Sequence, residues 1–461
     1  MVVHKFLPNS EDGITQYMLD RLGLDSLDEL FSDIPEKVRL GRSLRIPDSM
    51  SEIELEKLVS DKLSRNNSAP EFLNFLGGGN WVHHVPSIID EILSRSEFYT
   101  AYTPYQPEIS QGMLQALFEY QSQICELTGM EVANSSMYDW GSALGEAGRM
   151  AQRVTGRMKI LAASSSSPER LGVLETYCVP AGIEVTRINF QESGTLDVNL
   201  LENRLDDSVG ALYLEVPNFL GIVEDSLDEI AEKCHRKGAL LIVGVNPITL
   251  GVLAPPSAYG ADIVVGDGQP LGLYPNFGGP LMGIFATRDD STLLRQMPGR
   301  LIGMTHSIGE TRRGYTMVLQ TREQHIRREH ATSNICTNEA LFALAVSIYL
   351  SAMGPNGIRQ IGENIFGNSH YAKKRFLEEG LSAPHFNGSF FGELSVNTIS
   401  NSIELSKELA KHKILGGLPM ARFYDDLQNV SLFSFSELHN VDDIERLVSA
   451  IKSIELEKVG A

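Results

Sequence analysis

Through its middle, about residues 71 to 350, the sequence alternates short apolar runs with helical patterns, and this alternation limits the possible folds more than any other feature. Lys159–Ala163, Ile183–Ile188, Ala211–Val216, Ala239–Val243 and Asp262–Val265 read as strands, with helices such as Ser226–Lys237 between them. Strand and helix taken in turn predict a parallel, doubly wound α/β sheet. Within this region lies a second feature: after Lys237 the next lysine is Lys373.

The flanks differ in style. Residues 10 to 31 are expected to be helical, with Ser10 as the cap, Glu11 and Asp12 in the first turn, and Met18, Leu19 and Leu22 on one face. A second, charged helix is expected over Ser51–Leu63, and Asn66-Asn67-Ser68-Ala69-Pro70 is a turn-rich break. After Gly354 the pattern gives a long helix over Ile358–Glu379, strands near Phe390–Val396 and Val430–Phe435, and a closing helix over Asp442–Ile454. Three regions follow: an N-terminal helical arm over 1–70, a large α/β domain over 71–353 and a small α+β domain over 354–461. A net charge of -20 argues against a nucleic-acid surface. Cys125, Cys178, Cys234 and Cys336 stand far apart, which indicates neither a disulfide framework nor a zinc cluster and suits a reducing cytoplasm. Met1–Ser10 lacks the apolar core of a signal peptide, and no apolar run of about 18 residues or more is expected to span a bilayer.

This plan suits a pyridoxal-phosphate enzyme of the aspartate-aminotransferase type, fold type I. Longer strings are more specific. Phe98–Met130 reads FYTAYTPYQPEISQGMLQALFEYQSQICELTGM and Thr321–Ala340 reads TREQHIRREHATSNICTNEA, with FLGGG at 75–79, SSMYD at 135–139 and GDGQPLG at 266–272. Together they resemble glycine dehydrogenase (decarboxylating), the P-protein of the glycine cleavage system, from FLPN near residue 6 to the C-terminal domain. The length is similar to that of subunit 1, the N-terminal half of the split form, in which two homologous chains replace one long one.

In such enzymes a lysine holds pyridoxal phosphate as a Schiff base, and a carboxylate pairs with the ring nitrogen. The carboxylate is expected after the strand at Leu240–Val243, where Gly244-Val245-Asn246-Pro247 offers no acid. The lysine is expected after Asp262–Val265, where Gly266-Asp267-Gly268-Gln269 puts Gln269 near the place. No covalently bound cofactor is therefore expected on this chain. The resemblance implies that the homologous subunit 2 carries the lysine and the pyridoxal phosphate.

What this chain adds is expected in Tyr99–Glu108, a polar, aromatic segment stiffened by two prolines, Pro104 and Pro107, ahead of a helix from about Ile109 to Gly129. Tyr102, Thr103, Tyr105, Gln106 and Glu108 are the candidates for completing the partner's catalytic site around glycine; the alternative is that they are buried hydrogen-bonding residues at the subunit contact. Asp139-Trp140-Gly141-Ser142 precedes an expected helix over Ala143–Val154, so Ser142 is a candidate for the cofactor phosphate. The family usually has glycine where Trp140 stands. Ser333 and Asn334 are further cofactor candidates, or with Thr332 they cap a helix. Arg322, His325 and Arg328 are expected on one helical face with Arg327 beside them, and His330 stands where relatives commonly have lysine. Gly77-Gly78-Gly79-Asn80 offers backbone amides to an anion, or an ordinary turn before a helix at Pro86–Arg95. Adjacent His83 and His84 lack a third ligand, so no metal is expected.

The resemblance then implies a subunit of glycine decarboxylase, a heterotetramer of two unlike pairs (α2β2). In it glycine loses its carboxyl carbon as CO2 and its aminomethyl group passes to the lipoyl arm of the H-protein. Two other readings stay open: a regulatory or scaffold pseudoenzyme of this fold, or a self-sufficient enzyme using Lys159 or Lys233.

Overall fold

The computed structural model describes residues 6–42, 44–66, 71–309 and 311–459. Two compact units result, Met1–Asn67 and Ser68–Ala461. In the first, the helix expected over 10–31 is shorter: it runs Asp12–Leu22, capped by Glu11, while the Ser10 hydroxyl bonds back to the Leu7 carbonyl. Gly23, at φ 67°, turns the chain out of the helix, and a separate turn, Leu27–Phe31, follows. Of the expected apolar face only Leu19 is buried, with Met18 and Leu22 exposed. The helix Glu52–Leu63 starts on a capping box between Ser51 and Glu54. The expected break at 66–70 lies, Asn66 apart, outside the described residues.

The larger unit is built on a seven-stranded sheet: β1 (Val132–Ala133), β2 (Lys159–Ala163), β3 (Glu184–Ile188), β4 (Val209–Val216), β5 (Leu240–Val245), β6 (Ile263–Asp267) and β7 (Gly283–Thr287). Spatial order is β1-β7-β6-β5-β4-β2-β3, with β7 antiparallel to both neighbours and every other pair parallel. Both faces of β4, β5, β6 and β7 are covered, which is why they are largely apolar, whereas the edge strand β3 is exposed at Glu184 and Arg187. Leu161, Leu212, Leu241 and Val264 face one layer, with α1 (Gln111–Thr128) packed there through Leu114 and Ile124. Ile160, Tyr213, Ile242 and Val265 face the other, where α2 (Trp140–Thr155) and α3 (Pro168–Cys178) lie. The helix Leu227–Arg236 fits its expected span within a residue at each end.

A third core forms around Phe75, Phe376, Leu394, Phe433 and Ile444. It covers an antiparallel sheet of Glu393–Asn397, Val430–Ser434 and Leu418–Pro419, with the helix Val441–Val459. The long helix expected from Ile358 begins much earlier: α4 runs Ala340–Glu378, bent at Gly354, φ 59°, just before Pro355. The boundary expected at 353/354 thus falls inside one helix. By length and composition α4 also corrects the expectation that nothing here is apolar enough to span a bilayer, with a mean hydropathy of 1.4 over its window. Its Ala343, Val346, Tyr349, Ile358 and Ile365 are packed into the protein interior, so it is a core helix.

Candidate active site

In an open α/β sheet the ligand crevice lies beyond the carboxyl ends of the strands. Here it is built by Glu215 at the end of β4, Asn246 after β5, Asp267 at the end of β6 and the start of α2. Trp140, the first residue of α2, enters the crevice and is 3 % exposed. Its ring lies 3.6 Å from the Arg170 guanidinium carbon, and its indole N–H donates to the Tyr213 hydroxyl at 3.2 Å. That hydroxyl donates to Glu215 Oε1 at 2.8 Å, while Arg170 donates to Glu215 Oε2 at 2.7 Å. Burial drives the Tyr213 phenol well above its ordinary value, so it stays a neutral donor. Gly244 is required beneath this cluster: a Cβ there would meet Tyr213 Oη at 2.6 Å and Trp140 Cζ2 at 2.8 Å.

The glycine triplet closes the crevice from the other side. The Gly78 N–H donates to Glu393 Oε1 at 2.6 Å, and a Cβ on Gly77 would lie 2.1 Å from that same oxygen. The anion the triplet approaches is therefore the chain's own carboxylate. Burial pushes Glu393 up to about 7 against the hydrogen bonds that oppose it, and pushes Asp267 up to about 6. His83 does not mark a metal: its Nδ1 lies 2.8 Å from Glu437 Oε2, and the His84 backbone N–H donates to Oε1 of the same residue. Among the described residues no group of three or more His, Cys, Asp and Glu is placed to hold a metal ion.

A separate arrangement holds the Tyr99–Glu108 segment. Arg300, 4 % exposed, donates to Thr103 Oγ1 at 3.0 Å, to the Tyr105 hydroxyl at 2.8 Å and to the Cys336 carbonyl. Gln111 bonds both the N–H and the carbonyl of Tyr315, tying the start of α1 to the hairpin Leu301–His306/Arg313–Val318. Pro104 is buried and Thr103 half-buried, while Tyr102, Tyr105, Gln106 and Glu108 are exposed, Tyr102 at 77 %. The structure thus brings Thr103 and Tyr105 onto one cation and leaves the other three candidates on the surface beside them.

The expected basic helical face does not form. Residues 320–330 break into Gln320–Arg322, Gln324–Arg327 and Arg328–His330, with Leu319 and Arg328 at positive φ. Arg322 is buried and donates to the carbonyls of Met297, Gly299 and Leu319, whereas His325 lies edge-on to Tyr105 at 6.0 Å between ring centroids. Thr332, Ser333 and Asn334 cap nothing, because the next helix begins at Ala340. Ser333 donates to Glu146 Oε1 on α2 at 2.7 Å, Thr332 bonds the Arg322 carbonyl, and Asn334 is exposed.

The glycine cleavage system P-protein family profile matches residues 4–451. The chain belongs to that family. It is 47% identical over 447 residues to "Probable glycine dehydrogenase (decarboxylating) subunit 1" of Carboxydothermus hydrogenoformans, covering 97% of this chain and 99% of that protein. The protein of the same name from Staphylothermus marinus is 45% identical over 462 residues, covering 98% of each. A crystal structure of glycine decarboxylase (P-protein), in inhibitor-bound form, superposes with a TM-score of 0.87 at 39% identity, covering 98% of this chain and 100% of that one. An alanine–glyoxylate aminotransferase from Nostoc shares the fold, with a TM-score of 0.58 at 17% identity over 84% of this chain and 96% of that one. The fold is that of the pyridoxal-phosphate-dependent transferases of fold type I.

The crevice is divided. The space among Trp140, Arg170, Glu215 and Glu393 is about 30 Å³, room for roughly two water molecules, and a cavity of about 430 Å³ adjoins it, lined by Asp139, Trp140, Gly141, Arg170 and Asp267. Neither is lined by a lysine, so the crevice has no amine to form a Schiff base with pyridoxal phosphate. α2 starts at Trp140, earlier than expected, and Asp139 accepts the Ser142 N–H at 2.6 Å, which places its carboxyl group at the helix terminus that would meet a phosphate. Gln269 is turned inward, accepting from the Trp81 N–H and donating to the Leu273 carbonyl. Neither alternative lysine reaches the crevice. Lys159 begins β2, at the opposite end of the sheet, and Lys233 is paired with Glu202 and Glu229 on the outer helix Leu227–Arg236. Sequence reasoning missed Arg170, Glu215, Glu393 and Arg300. Glu215 carried a signal, since a carboxylate inside a fully buried strand demands a partner cation.

Proposed function

We propose that this chain is the subunit of glycine decarboxylase that holds no pyridoxal phosphate, and that its Tyr102–Glu108 segment completes the site of a homologous, lysine-bearing subunit. As part of the glycine cleavage system its enzyme decarboxylates glycine and passes the aminomethyl group to the lipoylated H-protein. The observation that supports the reading is a crevice without a lysine: none lines either cavity at the strand ends, and Gln269 is turned inward, so a chain with this fold acts through a partner that supplies the amine. Pyridoxal phosphate on the partner supplies the electron sink for decarboxylation. This chain's part is to position glycine and to keep water from the reacting carbon. Tyr102, Tyr105, Gln106 and Glu108, held outward by the Arg300 clamp, are suited to that task; Ser142 is bonded to Asp139 and Ser333 to Glu146, and these two and Asn334 are not assigned cofactor contacts. We further place the complex in the cytoplasm as an α2β2 heterotetramer.

The test is glycine-dependent CO2 exchange and the visible spectrum of the chain with pyridoxal phosphate and H-protein, with and without the lysine-bearing homologue. Activity and a cofactor band in the mixture alone are expected. Either signal from this chain by itself refutes the reading. In the mixture, Tyr102→Phe and Tyr105→Phe are expected to lower turnover roughly tenfold or more with assembly intact; unchanged kinetics for both would remove the segment's role.

A further inference from the structure

Each element of the crevice that would receive a cofactor meets a side chain of this chain instead. An aromatic ring, the Trp140 indole, lies where the strands open, stacked on the buried Arg170 and hydrogen-bonded to Tyr213. A carboxylate, Asp139, takes the amide at the helix terminus, and an amide, Gln269, is fixed by two internal bonds. The surroundings fit this filling closely. Gly244 has no side chain to strike the indole, and Gly79 lets the backbone pass Arg170, where a Cβ would lie 2.6 Å from Nη2.

We propose that Trp140, stacked on Arg170 and seated over Gly244, is a built-in substitute for the cofactor ring and keeps a planar heteroaromatic ligand out of the space it fills. This rests on the reading above that the chain carries no pyridoxal phosphate. The ring of a bound cofactor fills the middle of such a fold and helps to hold its parts; here the indole performs that service permanently. Three consequences follow. The subunit's stability does not respond to pyridoxal phosphate. Removal of the indole leaves a ring-shaped hole bounded by Arg170, Tyr213 and Gly244. The hole accepts a ring of the same shape supplied from solution.

The experiment is thermal unfolding of the full-length chain as wild type, Trp140→Gly and Trp140→Phe, each with and without indole or pyridoxal phosphate. Wild type is expected to show no shift with either ligand. W140G is expected to melt roughly 5 °C or more lower, and indole at millimolar concentration to restore a measurable part of the loss through binding to the folded state alone. W140F keeps one ring and is expected to fall between the two. A W140G midpoint that ignores indole overturns the proposal, and so does a W140F midpoint equal to wild type, which still decides should W140G fail to fold. A wild-type chain that binds pyridoxal phosphate overturns instead the functional reading on which the proposal rests.

Discussion

Glu393→Gln isolates one buried carboxyl and predicts a stability difference that changes with pH. Glu393 is 7 % exposed, accepts the Gly78 N–H and is pushed by burial from the ordinary 4.5 to about 7. Its folded-state value is thus raised above its unfolded value, so between the two the native chain holds a proton that the unfolded chain has released. Stability from this group is therefore fully present below about pH 4.5 and is lost as pH rises through about 7. With 1.36 kcal/mol for each unit of difference, the loss amounts to roughly 3 kcal/mol. Glutamine has the same shape, accepts the same amide and never ionises. Urea unfolding of both chains at intervals from pH 5 to 8 is the assay. The two are expected to be of nearly equal stability at pH 5, with E393Q ahead by roughly 2–3 kcal/mol at pH 8. Glu224, also pushed up to about 7, and Asp267, up to about 6, contribute to both chains alike and cancel in the difference. A flat difference across the range would refute the reasoning. So would an E393Q chain weaker at pH 8, since that would mean Glu393 is ionised and serves Arg170 as a counter-charge.

Arg300→Lys keeps the charge but not the fork that spans Thr103 and Tyr105. It is expected to cost roughly 1–3 kcal/mol and to speed amide exchange over residues 102–108 while α1 stays protected; unchanged exchange there would show that Arg300 does not hold the segment. Gly244→Ala forces a methyl group against Tyr213 and Trp140 and is expected to destabilise by roughly 1–3 kcal/mol, with a smaller cost in a W140G background. Equal costs in the two backgrounds, measured as a double-mutant cycle, would show that the indole does not press on residue 244.

Five of the seven strands were legible, the central ones because burial on both faces makes them continuous apolar runs; their ends moved by up to two residues, as at β4, which starts at Val209 where the sequence suggested Ala211. The antiparallel pair β1 and β7 was not anticipated. Helix starts were less legible. α2 begins at Trp140 because Asp139, three residues before Ser142, closes a capping box, and a bulky aromatic gives no hint of a helix start. The basic stretch 322–328 failed for a backbone reason: spacing alone places Arg322 and Arg328 on one helical face, but Arg328 adopts φ 56°, which no helix tolerates. The anchor of the Tyr102–Glu108 segment was not legible, because Arg300 lies 195 residues from Tyr105 in sequence and is a lone arginine without local pattern.

A chain that gives up a cofactor must replace an anion at a helix terminus, the volume of a ring and a fixed group at the end of a strand, or else bury unpaired donors and a void. Each would cost roughly 1–5 kcal/mol. On the proposed reading, Asp139, Trp140 and Gln269 supply the three replacements. The Arg300 clamp shares no side chain with them, bonding to Thr103, Tyr105 and Cys336 instead. On the proposed reading, interior and outward face are therefore free to change separately: replacing the cofactor-binding groups in the crevice would remove this subunit's own chemistry while the surface around Tyr102–Glu108 keeps its geometry. Such a separation would let one fold serve both halves of a split enzyme.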